Sequence, residues 1–243
     1  MDRMPKLSLI IPVLSEAEII GGTLDHIREL DTDGTVEIII VDGDSEGSTI
    51  GAIKAEGVRT EVAEKGRARQ SNHGAALATG DVLLFLHADT LLPLNAFALI
   101  RATMKDNRCV GGAFDLGFNT RRTIFRIAES YVFLRTRLTK IPYGDQAIFI
   151  RRDFFEKLGG YRDLPIMEDV DLMKRIRKRG DKIRIIPEKV RTSPRRYEQE
   201  GVVFCTLRNW LLQISYALGI SPERLVKWYK SRQGSAMNCH TGT

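Results

Sequence analysis

The sequence predicts an α/β domain built on a mostly parallel central sheet flanked by helices. Three observations carry that reading. Leu7–Val13, Val36–Val41 and Val82–Leu86 are near-continuous Val/Ile/Leu runs, as strands buried on both faces require. Helical patterns separate the runs, which is how parallel strands are connected. Polar residues gather where the runs end, at Ser15-Glu16, Asp42-Gly43-Asp44 and His87-Ala88-Asp89. In such sheets ligands sit outside the carboxyl ends of the strands.

Taken in order, Leu7–Val13 is the first strand. The apolar run is short, contains Pro12 and leads into Ser15-Glu16-Ala17-Glu18, so it does not read as a secretion signal. A helix is expected from about Glu16 to Leu30, then the strand Val36–Val41. A short helix near Thr49–Glu56 and a strand near Val58–Val62 follow. A helix from about Gly66 to Ala78 leads to the strand Val82–Leu86. The second half is less regular: a strand over Val110–Phe118, a helix over Thr123–Leu138 and a short strand at Ile148–Ile150 leading into Arg152–Leu158. The spacing of Val170, Met173 and Ile176 predicts a helix over Asp169–Arg179, and Lys182–Ile186 reads as another strand. Arg195-Arg196-Tyr197 falls in an expected loop. Two helices close the chain, one carrying Val203, Leu207, Trp210, Leu211, Ile214 and Leu218 at helical spacing, the other opening at Ser221-Pro222. The tail after Gln233 reads as frayed. With no repeat or linker, the chain reads as one domain over residues 1–243.

At 43% hydrophobic and 28% charged residues, the composition is that of a soluble globular protein. The net charge of +6 points to an anionic partner. Cys109, Cys205 and Cys239 have no metal-binding or paired spacing, so they read as reduced thiols in a cytoplasmic protein. His26, His73 and His240 are too scattered for a metal cluster. No stretch of about 18 apolar residues suggests a membrane span. No G-x-S-x-G, H-E-x-x-H or Walker A pattern occurs.

His87 and Asp89 stand two residues apart, and on an extended chain they would share a side and could meet one cation. The alternative is a polar strand end in which Asp89 caps a turn. Asp42 either accepts hydrogen bonds from a nucleobase or ribose, or forms an Asp-Gly turn. Lys65-Gly66-Arg67 opens a helix whose free N–H groups favour an anion, unless it is simply a solvated basic start. Glu168-Asp169 either complements a helix dipole or supplies a proton acceptor.

In this order the motifs resemble glycosyltransferase family 2, inverting enzymes of GT-A fold that use nucleotide sugars. Leu9–Glu16 is similar to the family's opening strand, with Ser15 where Asn is usual. Ile40–Ser45 resembles its second strand, Gly66–Gly74 the helix that follows, and Leu86-His87-Ala88-Asp89 its D-x-D motif. Gly159-Gly160-Tyr161 and Glu168–Leu172 resemble its glycine pair and E-D segment. His87-Ala88-Asp89, Gly144-Asp145-Gln146 and Arg195-Arg196-Tyr197 look most like a bacterial subgroup associated with radical-SAM genes or arsenosugar biosynthesis.

The resemblance implies a nucleotide-binding half over about 6–90, an acceptor half over about 91–200 and C-terminal helices over about 201–232. It implies Asp169 as general base beside Glu168, and Asp89 with His87 on Mn²⁺ or Mg²⁺. It further implies substrate contacts from Pro12, Ser15, Glu16, Asp42, Arg67, Gln70, Ala88, Asp145, Gln146 and Arg196. The donor would be a UDP-sugar, the acceptor a hydroxyl; no nucleic acid is expected. Two rivals are a nucleotidyltransferase making nucleotide sugars and a non-catalytic nucleotide-sugar-binding or membrane-surface protein. Against the first, Pro12–Ile20 has no glycine for a triphosphate loop. Against the second, Asp42, Asp89 and Asp169 are all present.

The stripe Ile124, Ile127, Tyr131, Leu134 and Leu138, and Leu225 with Trp228 and Tyr229, fit core-facing helices with solvated basic outer faces. The alternative is peripheral contact with an anionic membrane at the inner surface.

Overall fold

The computed structural model describes residues 4–231, the side chains of Arg196, Tyr229, Lys230 and Ser231 excepted. Cys239, His240 and the tail after Gln233 lie outside the described residues. The elements are β1 (Leu7–Val13), α1 (Ala17–Leu30), β2 (Val36–Asp42), β3 (Val58–Val62), α2 (Arg67–Leu77), β4 (Val82–Phe85), β5 (Thr90–Leu91) and α3 (Ala96–Met104). Then come β6 (Cys109–Phe118), α4 (Thr123–Thr139), β7 (Phe149–Arg151), α5 (Arg152–Lys157), α6 (Glu168–Arg179), β8 (Lys182–Thr192), α7 (Arg195–Glu200), α8 (Val202–Ala217) and α9 (Pro222–Ser231).

One sheet runs β3-β2-β1-β4-β7-β6-β8-β5. β1 pairs in parallel with both β2 and β4, β2 with β3, and β6 with β8; β7 and β5 pair antiparallel to their neighbours. Alternation along the central strands builds two apolar layers. Leu9, Ile11, Ile38, Ile40 and Leu84 face Ile20, Leu24 and Ile27 of α1, with Phe97 of α3 and Phe125 of α4. Ile10, Ile39, Val41, Leu83 and Phe85 face α2, α5 and α6, represented by Ala75, Phe155 and Met173. Each full burial of such a side chain contributes about 1.5–3 kcal/mol. At Gly74 a Cβ would stand 2.6 Å from Ile10 Cγ2, so glycine lets α2 settle close on β1.

Several expectations need correction. Thr49–Glu56 holds only a short 3₁₀ turn at Ile50–Ala52, with the Thr49 and Ile50 N–H groups at its start donating to Asp42. β5 and α3 were not anticipated, and β8 runs on to Thr192 instead of stopping at Ile186. The segment with Arg195 and Tyr197 is the short helix α7, not a loop; Ser193 Oγ accepts the Arg195 N–H at 3.2 Å and starts it. His87–Thr90 is a turn closed by Thr90 N–H to His87 C=O at 3.1 Å, so strand alternation does not set where His87 and Asp89 point. On α4 the core-facing side is Phe125, Ala128, Val132 and buried Thr136; Ile127, Leu134 and Leu138 are exposed. Leu225 of α9 is buried as expected. Among the described residues no helix is long and apolar enough to cross a membrane.

Candidate active site

The carboxyl ends of β1, β2 and β4 open on one side of the sheet, where the N-termini of α2 and α6 also converge. A cleft of about 720 Å³ lies there, lined by Pro12 and Glu16, Arg67 and Gln70, Asp145, Glu168 and Asp169. Its far wall comes from α4 and α8, through Tyr131, Arg135, Asn209, Trp210 and Gln213.

The placement of α6 begins with the glycine pair. Gly160 has φ +63° and would put a Cβ 2.7 Å from Asn72 Oδ1, so both its conformation and its surroundings require glycine. Asn72 then bridges α2 to the turn: its Nδ2 donates to Tyr161 C=O at 2.8 Å and its Oδ1 accepts the Tyr161 N–H at 2.9 Å. Met167 enters α6 with φ +65°, a costly left-handed conformation for its residue type. Glu168 and Asp169 follow in the first turn, where the helix dipole favours negative charge.

Asp169 is half-buried. Its Oδ2 accepts the Gly144 N–H at 2.5 Å and its Oδ1 the Val170 N–H at 2.7 Å. Gly144 is wedged between two side chains, since a Cβ there would meet His87 Nε2 at 3.1 Å and Asp169 Oδ2 at 3.2 Å. The turn after β4 and the start of α6 therefore meet across one glycine. Burial and then the Asp169 charge push the Glu168 carboxyl up, while Arg67 Nη1, 3.6 Å away, opposes them.

Asp145 stands beside this pair. Burial raises its carboxyl to about 6; the Asp169 and Asp89 charges add to the shift, and Arg135 and Arg67 oppose it. Its Oδ1 is buried without a hydrogen-bond partner, as are Arg135 Nε and Trp210 Nε1. All three residues line the cleft. Glu168 Oε1 is a fourth such atom, and unsatisfied buried polar atoms are rare, so their gathering on both sides of the cleft fits a place for a polar ligand.

Asp145 supplies a test through pH. Its folded proton affinity exceeds the unfolded one, so its contribution to stability is fully present below about pH 4 and lost as pH rises through about 6. Asp145→Asn is therefore expected to stabilise the fold by about 1–2 kcal/mol near pH 7.5, with the gain vanishing near pH 4. Thermal melts at the two pH values check this; an equal gain at both would contradict it.

Other expected site residues lie elsewhere or are already engaged. Asp42 is fully buried; its carboxylate accepts N–H groups from Asp44 at 3.0 Å, Thr49 at 2.9 Å and Ile50 at 3.3 Å, so it shapes the loop after β2 from beneath. Gln70 donates to Val13 C=O at 2.7 Å and Val41 C=O at 2.8 Å, bracing the ends of β1 and β2. Gln146 is buried and bonded to Phe114, Thr136, Arg135 and Tyr143. Ala88 is buried, its C=O accepting from Thr23 Oγ1. These four brace the scaffold in this structure, and Gln70 does so from the cleft lining. The side chain of Arg196 is outside the described residues.

Asp89 is tied to the end of β8: its C=O accepts the Ser193 N–H at 3.0 Å, and its Oδ1 lies 3.4 Å from Thr192 Oγ1. Neither His87 nor Asp89 lines the cleft itself. Among the described residues no group of three or more His, Cys, Asp or Glu is placed to hold a metal. Mg²⁺ and Mn²⁺ sites of phosphate-transferring enzymes commonly take one or two protein ligands, with phosphate and water completing the shell. A carboxylate at Asp89 fits that donor set, and an imidazole at His87 suits Mn²⁺ better than Mg²⁺.

Ser15 is exposed at the mouth of β1 with φ +56°. Asn tolerates this left-handed region better than Ser. Ser15→Asn is expected to gain about 0.5–1 kcal/mol, a melting rise of about 1–4 °C; a drop on thermal denaturation would contradict the backbone reading.

Sequence motifs pointed to Glu168, Asp169 and Asp145 but not to Arg135, Tyr143 or the α8 wall. Arg135 lies 3.6 Å over the Tyr143 ring and bonds Gln146 Oε1 at 2.9 Å. Tyr131 packs on Trp210 with ring centroids 4.5 Å apart. No short motif spans that wall, because its residues come from helices far apart in the chain.

A curled, mostly parallel sheet with an acidic cleft at its strand ends is the architecture of a GT-A domain. Residues 8–159 match the family described as Glycosyl transferase family 2. The chain belongs to that family. It is 28% identical over 213 residues to the "Probable glycosyltransferase YdaM" of Bacillus subtilis, covering 77% of this chain and 50% of that protein. It is 33% identical over 168 residues to a "PGL/p-HBAD biosynthesis glycosyltransferase" of Mycobacterium bovis, covering 65% of this chain and 63% of that protein. The chain thus spans about half to under two thirds of these relatives. In structure it is similar to "Mannosyltransferase PcManGT from Pyrobaculum calidifontis in complex with GDP-Man and Mn2+", with TM-score 0.68 and 24% identity, covering 91% of this chain and 67% of that one. It is also similar to Staphylococcus aureus TarS, solved in one case with UDP-GlcNAc, at TM-score 0.59 and 15% identity over 77% of this chain and 58% of that one. At these identities the structural likeness shows the fold alone.

Proposed function

We propose that this chain transfers a sugar from a nucleoside-diphosphate sugar to a hydroxyl acceptor with inversion, in a single displacement. The observation that carries the reading is the meeting of His87 and Asp169 across Gly144, which sets the expected metal motif beside the expected base. Asp169 takes the proton from the acceptor hydroxyl as it attacks the anomeric carbon. The two N–H groups it accepts fix the orientation of its carboxylate. Glu168 holds Arg67 at the cleft and adds negative charge near the developing oxocarbenium ion.

His87 and Asp89 would hold Mn²⁺ or Mg²⁺. A bound cation of this kind stabilises the charge that builds on a departing diphosphate. Arg67, at the free N-terminus of α2, meets the same anion. Asp42 and Gln70 serve the donor indirectly, by fixing the loops after β1 and β2 on which it rests. Asp145, Arg135 and Trp210 meet the polar part of the acceptor with their unsatisfied atoms.

A UDP-sugar is the expected donor, and the His87-Ala88-Asp89 and Gly144-Asp145-Gln146 motifs support the radical-SAM-associated or arsenosugar-type subgroup. A cytoplasmic site of action goes with a nucleotide-sugar donor. Nucleoside diphosphate release from a panel of UDP-, GDP- and TDP-sugars, with and without Mn²⁺, tests the reading. Release that requires both one donor and the metal is expected. Formation of a nucleotide sugar from a nucleoside triphosphate would instead favour a nucleotidyltransferase.

A further inference from the structure

α8 is amphipathic in the inverse sense for a surface helix. Its polar residues Thr206, Asn209 and Gln213 line the cleft, with Trp210. Its outward stripe is Val203, Leu207, Leu211, Ile214 and Leu218, a run that ends one residue past the helix; each is between 57% and 78% exposed. The one charged side chain in α8, Arg208, is held by Glu200. α4 continues the apolar surface: Tyr131 packs on Trp210, and Ile127, Leu134 and Leu138 share the Tyr131 stripe and are exposed. Two adjoining helices thus each turn an apolar stripe outward, the kind of exposure that marks an interaction surface.

The charge around that face selects what covers it. Exposed cations lie on the segments that flank these helices in the chain: Arg121 before α4, Lys140 after it, and Arg224 and Lys227 on α9. The single acid of α4, Glu129, is buried and bound to Arg126 and Lys189; α8 has no acid, α9 has Glu223, and on α7 Glu198 pairs with Arg122 and Glu200 with Arg208. A second copy docking on the same face would set these cations against themselves. An anionic bilayer surface matches both the apolar stripe and the flanking cations.

We infer that α4 and α8 dock the protein on an anionic membrane surface, with the α8 stripe entering the acyl boundary and the cleft opening at the headgroup level. Resting on the glycosyl-transfer reading, this makes the acceptor an amphiphile: its hydroxyl-bearing head enters between Trp210 and Asp145 while its apolar part stays in the bilayer.

Flotation with vesicles of equal parts phosphatidylcholine and phosphatidylglycerol, without any donor, tests the docking. The full chain is expected to float at low ionic strength and to be released by high salt. Leu207→Gln with Leu211→Gln keeps good helix formers at exposed positions and is expected to lose vesicle binding about tenfold or more. Its melting temperature should match the parent, separating lost docking from lost folding. Failure of the parent to float, or equal flotation of the double variant, would overturn the inference. So would a concentration-dependent dimer in sedimentation velocity that the double variant dissolves while vesicles capture neither protein. With no donor in the assay, failure of glycosyl transfer in a separate measurement would overturn the enzymatic reading alone.

Discussion

Asp169→Asn is expected to lower sugar transfer about 10²–10⁴-fold, the usual contribution of a positioned general base. The amide has nearly the shape of the carboxylate but takes no proton at neutral pH. It also has one accepting oxygen, whereas Asp169 accepts from both Gly144 and Val170 N–H groups. One of those bonds is lost, so a melting decrease worth about 1 kcal/mol accompanies the change. Donor affinity separates the two effects. If nucleoside diphosphate binds as before while transfer collapses, the loss is chemical. Turnover near that of the parent would move the base to Asp145 or Glu168, the two carboxylates beside it in the cleft.

The second large effect concerns the donor's metal. Asp89→Ala is expected to weaken Mn²⁺-dependent binding of UDP by about 100-fold or more, since changes even behind the ligands of a metal commonly cost 10–100-fold. The fold should survive, because what anchors the turn is the Asp89 backbone carbonyl on Ser193, and the side chain makes only long contacts with Thr90 and Thr192. His87→Ala should weaken binding less, removing a neutral nitrogen donor and no charge. Titration calorimetry with UDP, in Mn²⁺ and in EDTA, reads both. Equal affinity of the Asp89 variant and the parent would remove Asp89 from the metal.

The two variants probe groups of different legibility. Asp169 was readable in the sequence because Glu168-Asp169 opens an amphipathic helix after a glycine pair, and each of those features has a local physical signature. The glycine pair is needed for a backbone of positive φ pressed against Asn72, and α6 needs its apolar stripe to seat on the sheet. Asp89 was readable as a residue at a strand end, but the reason first given for its pairing with His87 fails, since a turn replaces the extended chain there.

By itself the sequence determined the central strands β1, β2 and β4, since these are buried on both faces and near-continuous runs of Val, Ile and Leu satisfy that condition. It also determined where the polar residues would gather, because parallel strands deliver their carboxyl ends to one side. Tertiary structure alone decided how those polar groups are used. Asp42, Gln70 and Gln146 have the residue types of ligand contacts, and each is also bonded to backbone or side-chain partners brought near by packing. Whether a hydrogen-bonding group is free depends on what else arrives within about 3 Å, and distant segments bring those neighbours. The same holds for α4 and α8. Their periodicity announced apolar faces, but which face meets the sheet was fixed only when Phe125 and Val132 took the core and left Leu134 and Leu138 outside.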